Sequence, residues 1–291
     1  MEGLRLTCLA TRNPESVNLV DADCKIVAEW RELFNSGDLD GVIIATPPAL
    51  HAEMARAAVT AGMPVLVEKP LTLNLAEARE LREFSNARSV FVMVAHTQLF
   101  HPAYRTLKRV AQNYGSVRAI RTEAGNRGPF RENVPVLWDW GSHDVAICLD
   151  LLGALPVHAG ARVAERCELQ EGHGEIVEIR LEFPGEIAAN IRVGNIMPKH
   201  RTVCVLLDEG VLVYDDLAAA KLVYIEGKSD LCRSGYSAGT AISIDDEPPL
   251  RCVLREFAAA IAGAPTIGGG LDLAVDVVRV LSSCENQFSR S

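Results

Sequence analysis

Three side chains in this sequence have the types and spacing to move a proton. A short apolar run from Val65 ends in Glu68-Lys69-Pro70, and much further along stands Asp139-Trp140-Gly141-Ser142-His143. A lysine placed where a buried strand stops can present a cation to a reacting group. An aspartate and a histidine four residues apart share one face of a helix, and a positioned imidazole beside a carboxylate can act as general acid or base. Singly, each motif has a plainer reading: Lys-Pro as a solvated turn, Asp-x-x-x-His as surface or capping residues. Their joint occurrence, in this order, favours chemistry.

The elements that must position them alternate in type. Leu4 to Ala10, Val42 to Ala45, Val65 to Val67 and Val90 to Ala95 read as short strands, β-branched enough for burial in a parallel sheet. Amphipathic helices lie between them. His51 to Ala61 carries Met54, Ala57 and Ala58 on one face and stops at Gly62. The next helix starts at Asn74, with Glu77 placed as in a capping box, and runs to about Asn86. Such alternation predicts a doubly wound parallel α/β sheet, which we assign to residues 1–98.

Beyond a helix from His101 to Asn113 the pattern changes. Residues 117–125, 157–167, 175–183, 187–195, 201–208, 211–215 and 221–226 read as strands, some joined by tight turns such as Phe183-Pro184-Gly185-Glu186 and Asp208-Glu209-Gly210. A helix from about Leu137 to Leu152, apolar on more than one side, interrupts them and ends at Gly153. Helices from about Pro249 to Ile261 and Leu271 to Asn286 close the chain. Residues 99–291 are therefore expected to form an α+β domain on a largely antiparallel open sheet. His173, between two glycines, reads as a hairpin-turn residue, and Gly268-Gly269-Gly270 as a flexible helix lead-in rather than an anion cradle.

The bulk properties exclude several functions. A chain of 291 residues, 48% hydrophobic and 23% charged, can bury two cores. Its formal charge of −9 gives no electrostatic case for nucleic acid or an anionic membrane. No apolar run approaches the ~20 residues needed to cross a bilayer, and no basic region followed by an apolar leader is visible, so a cytoplasmic location is expected. Eight cysteines without a Cys-x-x-Cys pair signal neither a metal site nor a disulfide framework, and Cys148 reads as a core residue.

Three segments together resemble the Gfo/Idh/MocA family of glucose-fructose oxidoreductase and inositol dehydrogenase. They are Asp40 to His51, Gly62 to Leu71, and Leu137-Trp-Asp-Trp-Gly-Ser-His-Asp144 running on to Gly153. The resemblance covers nearly the whole chain from Leu4. It implies a Rossmann-like cofactor domain, a substrate and oligomerisation domain, and hydride exchange between NAD or NADP and a sugar, sugar derivative or polyol. By this resemblance Lys69 lies between nicotinamide and substrate, His143 is the acid/base, and Asp139 contacts the substrate and tunes the other two. Ala45, Thr46, Pro47 and His51 match the loop that borders the cofactor, and Glu68 and Lys69 its nicotinamide end. His96, His101 and one of Trp138 and Trp140 are candidates for the substrate side, with packing or capping as the alternative. Relatives often form dimers or tetramers through the open sheet, where Val177, Ile179 and Leu181 alternate as apolar positions.

The pattern departs at its start. The family opens with a strand, a Gly-x-Gly-x-x-Gly turn and a helix, whereas Leu4 to Glu15 aligns with the second strand and its turn. Three explanations stand side by side: a late start, a cofactor site that has been abandoned, or another segment filling the slot, with Leu4 to Ala10 moving beside Val42. Arg12, where an NAD-preferring protein commonly has an acidic residue, suits a 2′-phosphate and mildly favours NADP; a solvent-facing turn arginine is the alternative. Leu99 replaces an arginine of many relatives. A catalytically silent sugar-binding or regulatory protein that keeps the fold is the competing function.

Overall fold

The computed structural model describes residues 3–35, 39–131, 133–227, 239–266 and 268–288. In its N-terminal part, strands β1 (Cys8–Ala10) and β2 (Lys25–Val27) form a two-stranded parallel sheet, and β3 (Val42–Ile44), β4 (Val65–Glu68) and β5 (Val92–Ala95) a three-stranded one. The register of the second sheet sets Val42 against Val65 and Val65 against Val92. These valines are nearly inaccessible, and each contributes on the order of 1.5–3 kcal/mol by leaving water. Helices α1 (His51–Thr60) and α2 (Leu75–Arg88) are the crossovers that parallel pairing requires.

The first strand is shorter than its apolar run suggests, and its partner is β2, which the sequence reading passed over because Lys25-Ile26-Val27 carries too little apolar pattern. Nor does the N-terminal strand move beside Val42. Among the described residues β3 pairs only with β4, and Ile43 on it is 51% exposed. Asn74 caps α2 through hydrogen bonds accepted from the Ala76 and Glu77 amides. The reciprocal half of the capping box is absent: the Glu77 carboxylate accepts from Thr72 Oγ1 at 2.7 Å, and the Asn74 amide also turns to Thr72.

The remaining strands form one eight-stranded sheet. They are β6 (Val117–Arg127), β7 (His158–Leu169), β8 (Gly172–Phe183), β9 (Ile187–Gly194), β10 (Ile196–Leu207), β11 (Gly210–Asp215), β12 (Leu222–Glu226) and β13 (Thr240–Ala241). Their spatial order is β13-β12-β11-β10-β6-β9-β8-β7, antiparallel except where β6 meets β9. Helices α4 (Val136–Asp139) and α5 (Gly141–Leu152) lie in the connection after β6, and α3 (Pro102–Ala111), α6 (Pro249–Ile261) and α7 (Leu271–Phe288) complete the chain. His173 stands beside the β7–β8 turn, paired with Glu168 at 2.7 Å.

Two expectations about this region change. Val177, Ile179 and Leu181 are not an open apolar face, because they are buried in the same core as Val145, Ile147 and Leu281 of α5 and α7. The opposite parity of these strands carries charge instead, with Glu178 bonded to both Arg162 and Arg192. The glycine triplet is not a loose lead-in either. Gly269 O accepts from the Val94 amide at 2.9 Å and Gly270 bridges to Met93, so the segment lies along the edge of β5.

Gly269 has φ +70°, and a β-carbon there would stand 2.8 Å from Val94 O and 2.9 Å from the Phe100 ring. Gly269→Ala is expected to cost more than about 1 kcal/mol, read as a lower urea midpoint at unchanged slope. An unchanged midpoint would show that this close approach is not kept in solution.

Candidate active site

The C-terminal ends of β4 and β5 and the junction of α4 with α5 meet at one cleft of about 320 Å³. Lys69 follows β4 directly. Its Nζ donates to both the carbonyl oxygen and Oδ1 of Asp139, each at 2.7 Å, and both side chains are largely withdrawn from solvent. The second oxygen of Asp139, Oδ2, is 3.1 Å from Arg131 Nε.

This contact accounts for a local break. The sequence predicts one helix from Leu137 to Leu152, but α4 stops at Asp139 and α5 starts at Gly141. In a continuous helix the Asp139 carbonyl would accept from the His143 amide. It accepts from Lys69 instead, and the His143 amide turns to Trp140 O at 3.2 Å. Asp139 and His143 nevertheless stay about one turn apart and both line the cleft. Trp138 is core, its Nε1 donating to Glu285 at 3.0 Å, while Trp140 lines the cleft.

His143 is held neutral. Burial pushes its pKa well below 6.5, and the charges of Lys69 and Arg201 push the same way. Its Nδ1 is buried without a hydrogen-bond partner. His96, immediately after β5, is 1% exposed and neither ring nitrogen has a partner. His101 serves α3 as its cap, Nδ1 accepting from the Ala103 amide at 3.1 Å, and its pKa is lowered by burial although Asp216 opposes the shift.

The other residues singled out from sequence lie around this centre in different ways. His51, fully buried, has Nε2 2.8 Å from Thr46 O and Nδ1 2.8 Å from Pro70 O. It therefore ties the loop after β3 to the turn that carries Lys69, and both its nitrogens are already engaged. Thr46 Oγ1 faces Met54 Sδ at 3.5 Å, and Ala45 and Pro47 are exposed at the strand end. Glu68, half-buried, accepts from the Lys69 amide. Arg12 stands apart at the end of β1, exposed and paired with Glu29 at 2.8 Å.

Five charged residues at or beside the site, Arg131, Asp144, Lys199, Arg201 and Asp216, carry no motif in the sequence that singles them out. Asp144 is wholly buried and 3.1 Å from Arg201. One signal was available: Arg201 sits at the inward parity of β10, in register with buried Val203, Val205 and Leu207, and a charge at a core-facing position calls for a partner. Among the described residues no cluster of histidine, cysteine and carboxylate could hold a metal ion, and no helix is long and apolar enough to cross a membrane.

Comparison with known proteins agrees with this architecture. Residues 1–96 match the family model described as oxidoreductase family, NAD-binding Rossmann fold. A crystal structure of a candidate oxidoreductase from Magnetospirillum magnetotacticum MS-1 superposes with TM-score 0.93 at 42% identity, over 98% of this chain and 92% of that one. The chain belongs to the Gfo/Idh/MocA family. Among its members, scyllo-inositol 2-dehydrogenase (NADP(+)) of Bacillus subtilis (strain 168) is 26% identical over 210 residues, 68% of this chain. UDP-N-acetylglucosamine 3-dehydrogenase of Acidithiobacillus ferrooxidans is 33% identical over 127 residues, 43% of this chain. The matched stretch spans 58% of the first enzyme and 39% of the second.

The buried histidines carry a pH dependence. Burial and then the Lys69 charge push the His96 pKa from 6.5 down to about 3. The unfolded chain takes up a proton near 6.5 that the folded chain refuses until about 3, so stability falls as pH falls through that window. At about pH 5 the loss is about 2 kcal/mol. His96→Gln should lose correspondingly less between neutral pH and pH ~5 in urea unfolding; identical pH profiles would remove His96 from the account.

Proposed function

We propose that this chain is an NAD(P)-dependent oxidoreductase that transfers hydride between a nicotinamide and the hydroxyl- or keto-bearing carbon of a sugar, sugar derivative or polyol, with NADP mildly favoured. The observation that carries this reading is the convergence of Lys69, Asp139 and a neutral His143 on one cleft at the ends of β4 and β5. Ligands of open parallel sheets bind at strand ends of this kind. Residues 1–98 would serve the cofactor and 99–291 the substrate.

The nicotinamide end of the crevice fits such a cofactor. Gln98, whose buried Oε1 has no partner, lines the cleft with Lys69, and His96, both of whose buried nitrogens also lack a partner, lies close enough to feel the Lys69 charge; a cofactor amide could satisfy such groups. Thr46, Pro47 and Glu68 border the same strand ends. When bound, the nicotinamide supplies the acceptor or donor of hydride. The chain's own part is proton transfer and charge. As hydride leaves the carbon, neutral His143 takes the hydroxyl proton, and the Lys69 ammonium faces the oxygen on which charge develops. Asp139 fixes that ammonium, and His51 fixes the turn that carries it. In the reverse direction His143 returns the proton as hydride arrives. Arg12 would meet a 2′-phosphate; its exposed pair with Glu29 is worth at most about 1 kcal/mol and would not bar that exchange.

The alternative is a silent sugar-binding or regulatory protein on the same fold. Titration with NADPH and NADH, followed by nicotinamide fluorescence, separates the two. Binding supports the enzyme, whereas no binding at millimolar cofactor leaves only the silent protein. With cofactor bound, Lys69→Ala and His143→Ala should each lower turnover by about 10² or more; unchanged rates would take them out of the mechanism.

A further inference from the structure

The cleft is cationic in a chain whose net charge is −9. Lys69, Arg131, Lys199 and Arg201 line it, against the carboxylates of Asp139 and Asp216. Neither carboxylate is free to neutralise more. Asp139 is divided between Lys69 at 2.7 Å and Arg131 at 3.1 Å, and Asp216 is shared with Lys221 at 3.2 Å and His101 at 3.5 Å. Arg201 is matched by buried Asp144. Lys199 has no ion-pair partner among the described residues. Among the described residues, pairing each carboxylate once, Asp139 with Lys69, Asp144 with Arg201 and Asp216 with Lys221, leaves Arg131 only a share of Asp139 and Lys199 no carboxylate.

Resting on the oxidoreductase reading, we propose that the substrate is anionic: a hydroxyl-bearing compound whose carboxylate or phosphate is received by Arg131 and Lys199 while its reacting carbon lies against Lys69 and His143. These two cations suit the task by position and chemistry. Arg131 is 57% exposed on the loop after β6 and Lys199 is exposed on β10, so both reach the cleft from its solvent side. Lys69 is already held by two oxygens of Asp139, and Arg201 is largely buried beside Asp144. A guanidinium offers a planar fork that matches carboxylate and phosphate oxygens, and an ammonium adds a point charge. A neutral sugar would leave Lys199 without a counter-charge and Arg131 sharing Asp139 with Lys69, whereas a carboxylate or phosphate would compensate both cations. Because a cleft focuses the field of its charges, the same surplus would draw an anion in from solution.

The test uses the full chain and three probes: D-glucuronate, glucose 6-phosphate and D-glucose, titrated calorimetrically at fixed ionic strength. At least one of the two anions is expected to bind more tightly than glucose by about tenfold or more, the scale of one charge-assisted hydrogen bond, with affinity that falls as salt rises. The Arg131→Gln/Lys199→Gln double variant should lose that advantage while its thermal midpoint stays unchanged, which shows that the fold is intact. Preference for glucuronate or for glucose 6-phosphate tells carboxylate from phosphate. Glucose binding as tightly as both anions, no binding of either anion at millimolar concentration, or an anion affinity that survives the double substitution would each overturn the proposal. Failure of NADPH and NADH to bind is a separate result: it removes the oxidoreductase reading and leaves the anion affinities to be judged by themselves.

Discussion

The Lys69 ammonium lies where the parallel strands meet the helices of the large sheet, and it is mostly out of water. A charge in that position is tolerable only when several oxygens replace its hydration. Asp139 supplies two of them, one from its side chain and one from its backbone. The consequences spread outward from this contact. It takes the carbonyl that would have continued the helix, so α4 and α5 separate at Trp140, and it joins the end of β4 to a segment seventy positions away. His51 supports the arrangement from the other side by joining Thr46 and Pro70.

The same cation reinforces what burial does to the protonation of its neighbours. His96 and His143 are both disfavoured as imidazolium by burial, and Lys69 adds to the effect in each case. Under the proposed function, a neutral imidazole beside a fixed ammonium would divide the work of a hydroxyl oxidation, one group to take the proton and the other to face the oxygen. The cost is borne by stability. Asp144 is wholly buried with one carboxylate oxygen lacking a partner, and the His96 nitrogens are likewise unsatisfied, an arrangement that packing alone would not select.

Local pattern carried a good part of this organisation. Val65 to Val67 and Val90 to Ala95 declared themselves as buried parallel strands because every residue in them is apolar, and the structure has strands over Val65–Glu68 and Val92–Ala95. The capping role of Asn74 and the stop at Gly62, which has φ +72°, followed from side-chain chemistry within one turn. Local pattern failed where a neighbour distant in sequence decided the outcome. Lys25 to Val27 is a strand only because β1 lies beside it, and the glycine triplet lies extended only because β5 offers an edge. Val177, Ile179 and Leu181 showed correct alternation, but alternation does not say whether helices or a second subunit cover the apolar side.

The sequence by itself determined that Lys69 ends a buried strand, that Asp139 and His143 lie about a turn apart, and that a parallel α/β layer precedes a sheet-rich one. Each of these depends on interactions within a few residues, which periodicity and residue type express directly. Only the tertiary structure decided that Lys69 reaches Asp139 rather than solvent, that Arg201 on β10 pairs with Asp144 on α5, and that Arg131 and Lys199 open onto the same cleft. Those are contacts between elements far apart in the chain. Their distances and their electrostatic consequences are set by how the sheets and their helices pack, which no local pattern encodes.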